Sequence, residues 1–208
     1  MSSSNTFDMT EVSKEELPEG FIDSFSFFDN EKTGKNICCF DVSENSDIIV
    51  SFTDNSVNVY NQTLEFEYGF TFRINGTARA FWHNGYPAVY LDKSDMLAVV
   101  EPKGEIIQAY SVENSVENSK IYREIIQKSE FQNGNYFYCL EFSSIFTKLF
   151  SPNYTCLVRK ELNTDIEKTV YENHNADLSL GISMTLIIAF IACVVKFGFI
   201  NGIKKRRN

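Results

Sequence analysis

The sequence predicts an all-β domain of about three four-stranded units, followed by one C-terminal transmembrane α-helix. Three observations lead to this fold class. Phe and Tyr, which favour the half-buried surfaces of sheets, number 19 and 10. Short apolar runs separated by turn residues recur in groups of four along the chain. A long stretch near the C-terminus contains no charged residue.

The first 28 residues divide into a polar segment and an apolar one. Residues 1–20 are rich in Ser and acidic side chains, which predicts a flexible N-terminus. Residues 21–28 alternate between apolar and polar side chains, which predicts a strand. We expect this strand to close the array by pairing with the last unit. The β-domain is therefore expected over residues 21–175, long enough for one core.

Two units of four strands follow. Between residues 38 and 72, four apolar runs are separated by turns rich in Asn, Asp, Ser and Thr, which tolerate tight backbone geometry. The same pattern begins again about 40 residues later and continues to residue 110. In this second unit, Asn84 and Gly85 between hydrophobic runs are a strong hairpin signal.

A third unit follows a polar linker over residues 111–120. An insertion at 143–152 replaces one of its turns, and Phe142, Ile145, Phe146, Leu149 and Phe150 fall there at helical spacing. This spacing predicts a short helix that lies on a membrane surface or a partner, or covers an open end of the sheet. The strands of this unit are expected at 122–131, 136–142, 154–159 and 166–171.

Three units of four short strands resemble the blades of a β-propeller. Runs such as VNVYNQTLEF and LAVVEPKGEIIQAY look like the strand-turn-strand half of a blade. The resemblance is to the class of fold and implies no functional residue, because the Trp-Asp and Gly-His signatures of the best-known blades are absent. Closed propellers typically have four or more blades, so three units imply a small closed array, an open stack or a ring completed by another chain. A β-sandwich or a meander is the alternative.

The C-terminal region has the composition of a membrane anchor. Residues 178–195 contain no charge, and after Lys196 the apolar run continues to residue 200. A bilayer core requires about 20 apolar helical residues, and a Lys near the end can extend to the headgroups. We expect a transmembrane helix over 178–200 and a short basic tail over 201–208. The spanning residues include Leu178, Leu186, Ile187, Ile188, Phe190, Ile191, Val194 and Val195, and the flanking basic residues are Lys196, Lys204, Lys205, Arg206 and Arg207.

Two features of the sequence disagree about which side of the membrane holds the domain. The basic tail is typical of the cytoplasmic side, which would place the domain outside. The N-terminus, however, has neither the basic nor the apolar region of a secretory signal, and the span lies close to the C-terminus. Such a span inserts after synthesis, so we expect a single-pass chain with a cytoplasmic domain. A missing upstream signal would reverse this assignment.

The sequence contains none of the common catalytic motifs. It lacks GxSxG, HExxH, a Walker loop and GxGxxG, so we expect no catalytic, cofactor-binding or metal-binding residues and no cofactor. The five cysteines form no CxxC pair, although Cys139 and Cys156 could bond if their strands are neighbours. The net charge is −9, and no basic face precedes the tail, which argues against nucleic acid as a partner.

These observations favour a membrane-anchored, non-enzymatic binding or scaffolding module. Its expected partners are the lipid bilayer and another protein. The alternative is a membrane-associated, hydrolase-like enzyme with a site at the mouth of the β-array. A pocket with converging ionisable groups of perturbed pKa would favour the enzyme, whereas an exposed apolar or aromatic patch would favour binding.

Overall fold

The structure, a computed structural model, describes residues 7–102, 105–164, 166–176, 178, 181–191 and 194. Strand β1 (Met9–Val12), a 3-10 turn (Lys14–Glu16) and helix α1 (Phe21–Ser24) come first. They are followed by β2 (Ser26–Phe28), β3 (Ile37–Val42), β4 (Ile48–Phe52), β5 (Ser56–Tyr60) and β6 (Phe66–Thr71). Next are β7 (Ala78–His83), β8 (Tyr86–Leu91), β9 (Met96–Val100), β10 (Ile106–Val112) and α2 (Val116–Ile125). The remaining elements are β11 (Glu130–Asn133), β12 (Tyr136–Glu141), α3 (Ile145–Phe150), β13 (Cys156–Glu161) and β14 (Glu167–Glu172).

The strands form three antiparallel sheets of four or five strands, which confirms the mainly β class. The first sheet has the order β2-β6-β5-β4-β3, and the second has the order β1-β10-β9-β8-β7. The third sheet has the order β11-β12-β13-β14. Each predicted unit is thus one meander of four successive strands. Strands β1 and β2 from the N-terminal region extend the second and first sheets, respectively, at an outer edge.

The three sheets stack face to face, with the first sheet in the middle. One of its faces packs on the second sheet, where Val59 and Val89 share a core cluster. Its other face packs on the third sheet, where Val50 and Leu157 share another. Because both faces are covered, every residue of β4 and β5 is buried. Strand β4 is therefore almost continuously apolar. Strand β5 still alternates, and its buried Ser56 and Asn58 have hydrogen-bond partners.

This order differs from that of consecutive propeller blades around a ring. In a closed three-bladed ring, the third sheet would contact both others. Here α2 covers the outer face of the second sheet, where Ile121, Tyr122 and Ile125 pack against its core. The described part of the chain is therefore an open stack in which no sheet closes on itself.

The inner edge of the second sheet is joined to the first sheet by side chains. Strand β7 has backbone partners only in β8, so the N–H groups on its other edge need acceptors. The N–H of Ala78 donates to Asn55 Oδ1 (3.2 Å), that of Ala80 to Ser51 Oγ (2.9 Å) and that of Trp82 to Asp41 Oδ2 (2.8 Å). This ladder explains why polar residues occupy the centre of the stack, and it leaves none of these three donors unpaired.

The N-terminal segment is more ordered than its composition predicts. The prediction of a flexible segment over residues 1–20 is wrong for residues 7–20, because Met9–Val12 pair with β10. Phe7 is buried with its ring 5.8 Å from that of Phe81 and 5.6 Å from that of Tyr90. Burial of this ring and the pairing of β1 offset the entropy lost on ordering a polar segment.

The strand expected over residues 21–28 is also corrected. Phe21–Ser24 form the short helix α1, whose Phe21 is fully buried. Only Ser26–Phe28 form a strand, and it pairs with β6 of the first sheet instead of the last unit. The alternation in the sequence arises because Phe25 and Phe27 pack against the same core cluster as Phe21.

The third unit contains the largest difference from expectation. Residues 116–125, expected to be linker and the start of a strand, form helix α2. Ser115 caps this helix by accepting a hydrogen bond from the Asn118 N–H at 3.0 Å. The strand begins only at Glu130. The short helix expected within 143–152 is confirmed as α3.

Candidate functional site

Strand directions in the third sheet bring α3 and the start of the C-terminal helix to one end of the fold. Because the third sheet is antiparallel, the end of β12, the start of β13 and the end of β14 lie at the same end of the sheet. Helix α3 connects β12 to β13, and the chain leaves β14 toward residue 176. We call this end of the sheet the α3 end. The turns at 133–134 and 162–164 form the opposite end, where the Leu162 N–H donates to the Asn135 carbonyl at 2.9 Å.

Helix α3 exposes its apolar side chains. Ser144 caps it by accepting from the Thr147 N–H, and Thr147 is its only buried residue. Four large apolar side chains are between 52% and 70% exposed, and they are those of Ile145, Phe146, Leu149 and Phe150. The helix therefore does not bury its apolar residues over the end of the sheet, which was one of the two expectations for it.

A groove lies between α3 and residues 171–176, the segment that leads into the apolar stretch and that we call the root. Phe150 and Pro152 line it together with Asn173, Asn175 and Ala176. Ala176 is 8% exposed, so the chain is still packed on the domain only two residues before Leu178. The end of α3 and the beginning of the apolar segment are therefore direct neighbours.

Hydrogen bonds fix this root to the rest of the fold. The Tyr171 hydroxyl accepts from the Lys35 N–H (2.8 Å) and donates to the Lys35 carbonyl (2.7 Å). Burial raises the pKa of Tyr171 to about 12, so the phenol stays protonated. Asn173 donates from Nδ2 to Asn36 Oδ1 (2.7 Å) and from its N–H to the Thr155 carbonyl (2.8 Å). The root is thus held by both the first and the third sheets.

Beyond the root, residues 181–191 are helical. The predicted membrane residues Leu178, Leu186, Ile187, Ile188, Phe190, Ile191 and Val194 are each more than half exposed. Within the described residues, no helix combines the length and the apolar character needed to cross a membrane. Val195, Lys196, Lys204, Lys205, Arg206 and Arg207 lie outside the described residues.

A second feature is an acidic cleft between α2 and the second sheet, lined by Tyr90, Asp92, Asp95, Glu113 and Tyr122 among others. Its groups are largely paired with one another. Asp92 contacts Arg79 and accepts from the Tyr122 hydroxyl at 3.0 Å, and Asp95 accepts from the Tyr90 hydroxyl at 2.8 Å. Burial raises the pKa of both phenols, so they remain protonated donors. The cleft thus contains satisfied pairs and not an activated base.

The cysteines that the structure describes are free thiols, and they are Cys38, Cys39, Cys139 and Cys156. Cys39 differs from the other described cysteines: burial opposes its ionisation, but hydrogen bonds with the Cys38 and Ser51 side chains lower the pKa of its thiol, which is only 1% exposed. Cys139 and Cys156 do lie on neighbouring strands, and burial raises their pKa values to about 11 and about 12. His83 is 9% exposed, and burial lowers its pKa. Among the residues that the structure describes, no three His, Cys, Asp or Glu side chains are placed to share a metal ion.

Sequence reasoning missed the residues that hold the root in place. Tyr171 was expected only as the end of a strand, and Asn36 and Asn173 lie in segments that resemble ordinary turns. Their partners are more than 100 positions away in the sequence. One signal was available, since two Asn residues flank His174 directly before the apolar segment.

Two solved structures are similar to the chain at a low level. It resembles KlHsv2 with loop 6CD replaced by a Gly-Ser linker, at 15% identity and a TM-score of 0.31, over 65% of this chain and 38% of that chain. It also resembles Kluyveromyces lactis Hsv2, at 14% identity and a TM-score of 0.30, over 66% and 37%. Hsv2 is a β-propeller protein, and this chain spans less than two fifths of its length. No family model and no curated protein match the sequence.

Proposed function

We propose that the chain is a membrane-anchored, non-enzymatic β-domain that binds or scaffolds another protein. The observation that carries this proposal is the exposure of the apolar helix over residues 181–191. Leu186, Ile187 and Ile188 are consecutive, so they point to different sides of a helix, and each is more than half exposed. A helix that is apolar on every side is stable when a low-polarity medium surrounds it.

The fixed root supports a scaffolding role. Tyr171 and Asn173 join the last strand to the first sheet through hydrogen bonds at 2.7–2.8 Å. A root held in this way limits how far the domain can turn relative to the anchor. A partner would then meet the domain at a limited set of heights and orientations above the bilayer, which lowers the entropic cost of binding.

The acidic cleft between α2 and the second sheet is the feature of the described residues that bears on the enzyme alternative. Ionisable groups do converge there, which was the condition set for that alternative. Their pKa shifts, however, keep Tyr90 and Tyr122 protonated, and both phenols already donate to Asp95 and Asp92. General acid–base catalysis near neutral pH needs a group that titrates close to that pH. The cleft thus meets the condition for the enzyme alternative, but its two shifted phenols are protonated near neutral pH, so the hydrolase stays the second candidate.

Membrane extraction of the full chain tests the proposal. The wild-type chain should float with vesicles and remain in the membrane fraction after washing at alkaline pH. The double variant Leu186→Arg/Ile188→Arg should be lost from that fraction, because each central Arg costs about 2.5–3.5 kcal/mol of insertion free energy. Protease treatment of the sealed vesicles then reports on which side the domain lies.

Leu162→Arg is the matched control for that double variant. Leu162 is an equally apolar side chain, 48% exposed, at the opposite end of the fold. This variant should stay with the membrane as the wild type does. Release of the wild-type chain by the alkaline wash would reject the membrane anchor and with it the proposed function.

A further inference from the structure

We propose that helix α3 lies in the surface of the lipid bilayer, as a second membrane contact beside the anchor. The inference rests on the proposed function, because it needs the apolar segment after residue 176 to enter a membrane. It adds a contact surface that the anchor alone does not require.

The first argument is the exposure of α3. Ile145, Phe146, Leu149 and Phe150 take up four of its six positions, and all are more than half exposed. The remaining two positions are Thr147, which is fully buried, and Lys148, which is exposed. One polar residue thus attaches the helix to the domain while the large apolar residues face outward. In water this arrangement leaves a contiguous apolar patch, which typically marks an interaction surface.

The second argument is the position of α3 relative to the anchor. Phe150 and Pro152 share a groove with Ala176, which is buried against the domain. The apolar segment starts at Leu178, only two positions after Ala176 in the sequence. A bilayer that receives this segment would therefore lie beside the groove that the end of α3 lines. The hydrogen bonds of Tyr171 and Asn173 keep the domain from turning α3 away.

Charge at α3 also suits a membrane interface. Lys148 is the basic residue in the last turn of the helix, between two exposed apolar pairs. A Lys at this depth can extend its amine to the lipid phosphates while its methylene groups stay near the acyl chains. The opposite end of the third sheet lacks this combination, since the Leu162 turn presents single apolar side chains next to the acidic residue Glu161.

Two other occupants of the patch are conceivable, and both have distinct signatures. The chain's own C-terminal helix could fold back on α3, but Ile182, Leu186, Ile187, Ile188, Phe190 and Ile191 are all more than half exposed, and only Met184 is partly buried among its large apolar residues described. A second copy could also cover the patch. Neither occupant would bring α3 into contact with acyl chains, so contact with lipid is the property to measure.

Tryptophan quenching in the full chain measures that contact. The native Trp82 lies at the end of β7 remote from α3, where its Nε1 donates to the Asp47 carbonyl at 3.1 Å. The chain is reconstituted in phosphatidylcholine vesicles with brominated acyl chains, which quench only nearby indoles. Wild-type fluorescence should be almost unchanged by bromination. In Phe146→Trp the added fluorescence should be blue-shifted and mostly lost on bromination.

Leu162→Trp is the matched control, about 20 Å away along a six-residue strand. Its added fluorescence should be insensitive to bromination and accessible to aqueous iodide. Circular dichroism of both variants should match the wild type, since both positions are exposed.

The outcomes separate this inference from the proposed function. If the chain floats with the vesicles but Phe146→Trp is quenched no more than Leu162→Trp, α3 does not contact lipid, and the anchor stands without it. A blue-shifted but unquenched Phe146→Trp would mean that protein covers α3, which also overturns the inference. A chain that fails to float overturns both.

Discussion

Asp41 and Lys128 form a buried ion pair at the point where the three sheets meet. Asp41 belongs to β3 of the first sheet, and its second oxygen accepts the N–H of Trp82 in β7 of the second sheet. Lys128 lies two residues before β11 of the third sheet, and its Nζ also lies 4.2 Å from the centre of the Phe131 ring. Both charged side chains are only about one tenth exposed. One carboxylate therefore connects all three sheets.

Removing one member of this pair should be costly. Lys128→Met leaves the Asp41 carboxylate buried without its cation, and we expect it to lower the free energy of unfolding by about 3–5 kcal/mol. The double variant Asp41→Asn/Lys128→Met removes both charges and keeps an acceptor for the Trp82 N–H. It should recover a large part of the loss. Urea unfolding of the full chain in detergent, followed by Trp82 fluorescence, measures both values.

Lys160→Met is the control for the buried pair. Lys160 bonds to Glu141 at 3.0 Å, but both side chains are about 40% exposed. An exposed pair typically contributes less than about 1 kcal/mol. Equal losses for Lys128→Met and Lys160→Met would show that burial of the Asp41 pair has no energetic importance.

Ser51 should matter for stability although its side chain is small. Its Oγ accepts the N–H of Ala80 at 2.9 Å, and the residue is fully buried. Ser51→Ala leaves that N–H without an acceptor, so we expect a loss of about 1–3 kcal/mol in the free energy of unfolding. Ser94→Ala, at an exposed position, should change it by less than about 0.5 kcal/mol. A Ser51→Ala loss as small as that of Ser94→Ala would contradict the role of side chains in joining β7 to the first sheet.

His83 should make the fold less stable in mild acid. Burial lowers its pKa in the folded state, while the unfolded chain keeps the ordinary value near 6.5. Below about pH 6.5 the unfolded state therefore binds more protons than the folded state. The free energy of unfolding decreases as the pH is lowered, until the pKa of His83 in the folded state is passed. Above that range, His83 contributes no pH dependence. Unfolding curves of the wild type at pH 7.5 and pH 5.5 should differ in this direction.

The second histidine provides the control for this effect. His174 has a side chain that is 77% exposed. His83→Gln should reduce the loss of stability between the two pH values more than His174→Gln does, because His83 is buried and His174 is exposed. If the slope persists in His83→Gln and disappears in His174→Gln, the assignment to His83 is wrong.

The sequence by itself determined the four-strand meanders of the first and second sheets. Apolar runs and Asn, Asp and Gly turns are local signals, and they located the first two meanders from β3 to β10 almost to the residue. The same local signals found α3, because its apolar residues follow a helical period within ten positions. They also marked the uncharged stretch after residue 178 as a candidate membrane segment.

Only the tertiary structure decided how the sheets are ordered and which polar residues join them. The third sheet packs on the first, and α2 takes the place that a third blade would have on the second. The short helix α2 was mistaken for linker and strand because its stability comes from packing Ile121, Tyr122 and Ile125 on a distant sheet and not from its own sequence. Asp41, Ser51 and Asn173 looked like strand or turn residues because their partners are remote in the sequence. Hydrogen bonds and burial between distant segments depend on the folded arrangement, and a local pattern contains no information about which segments will meet.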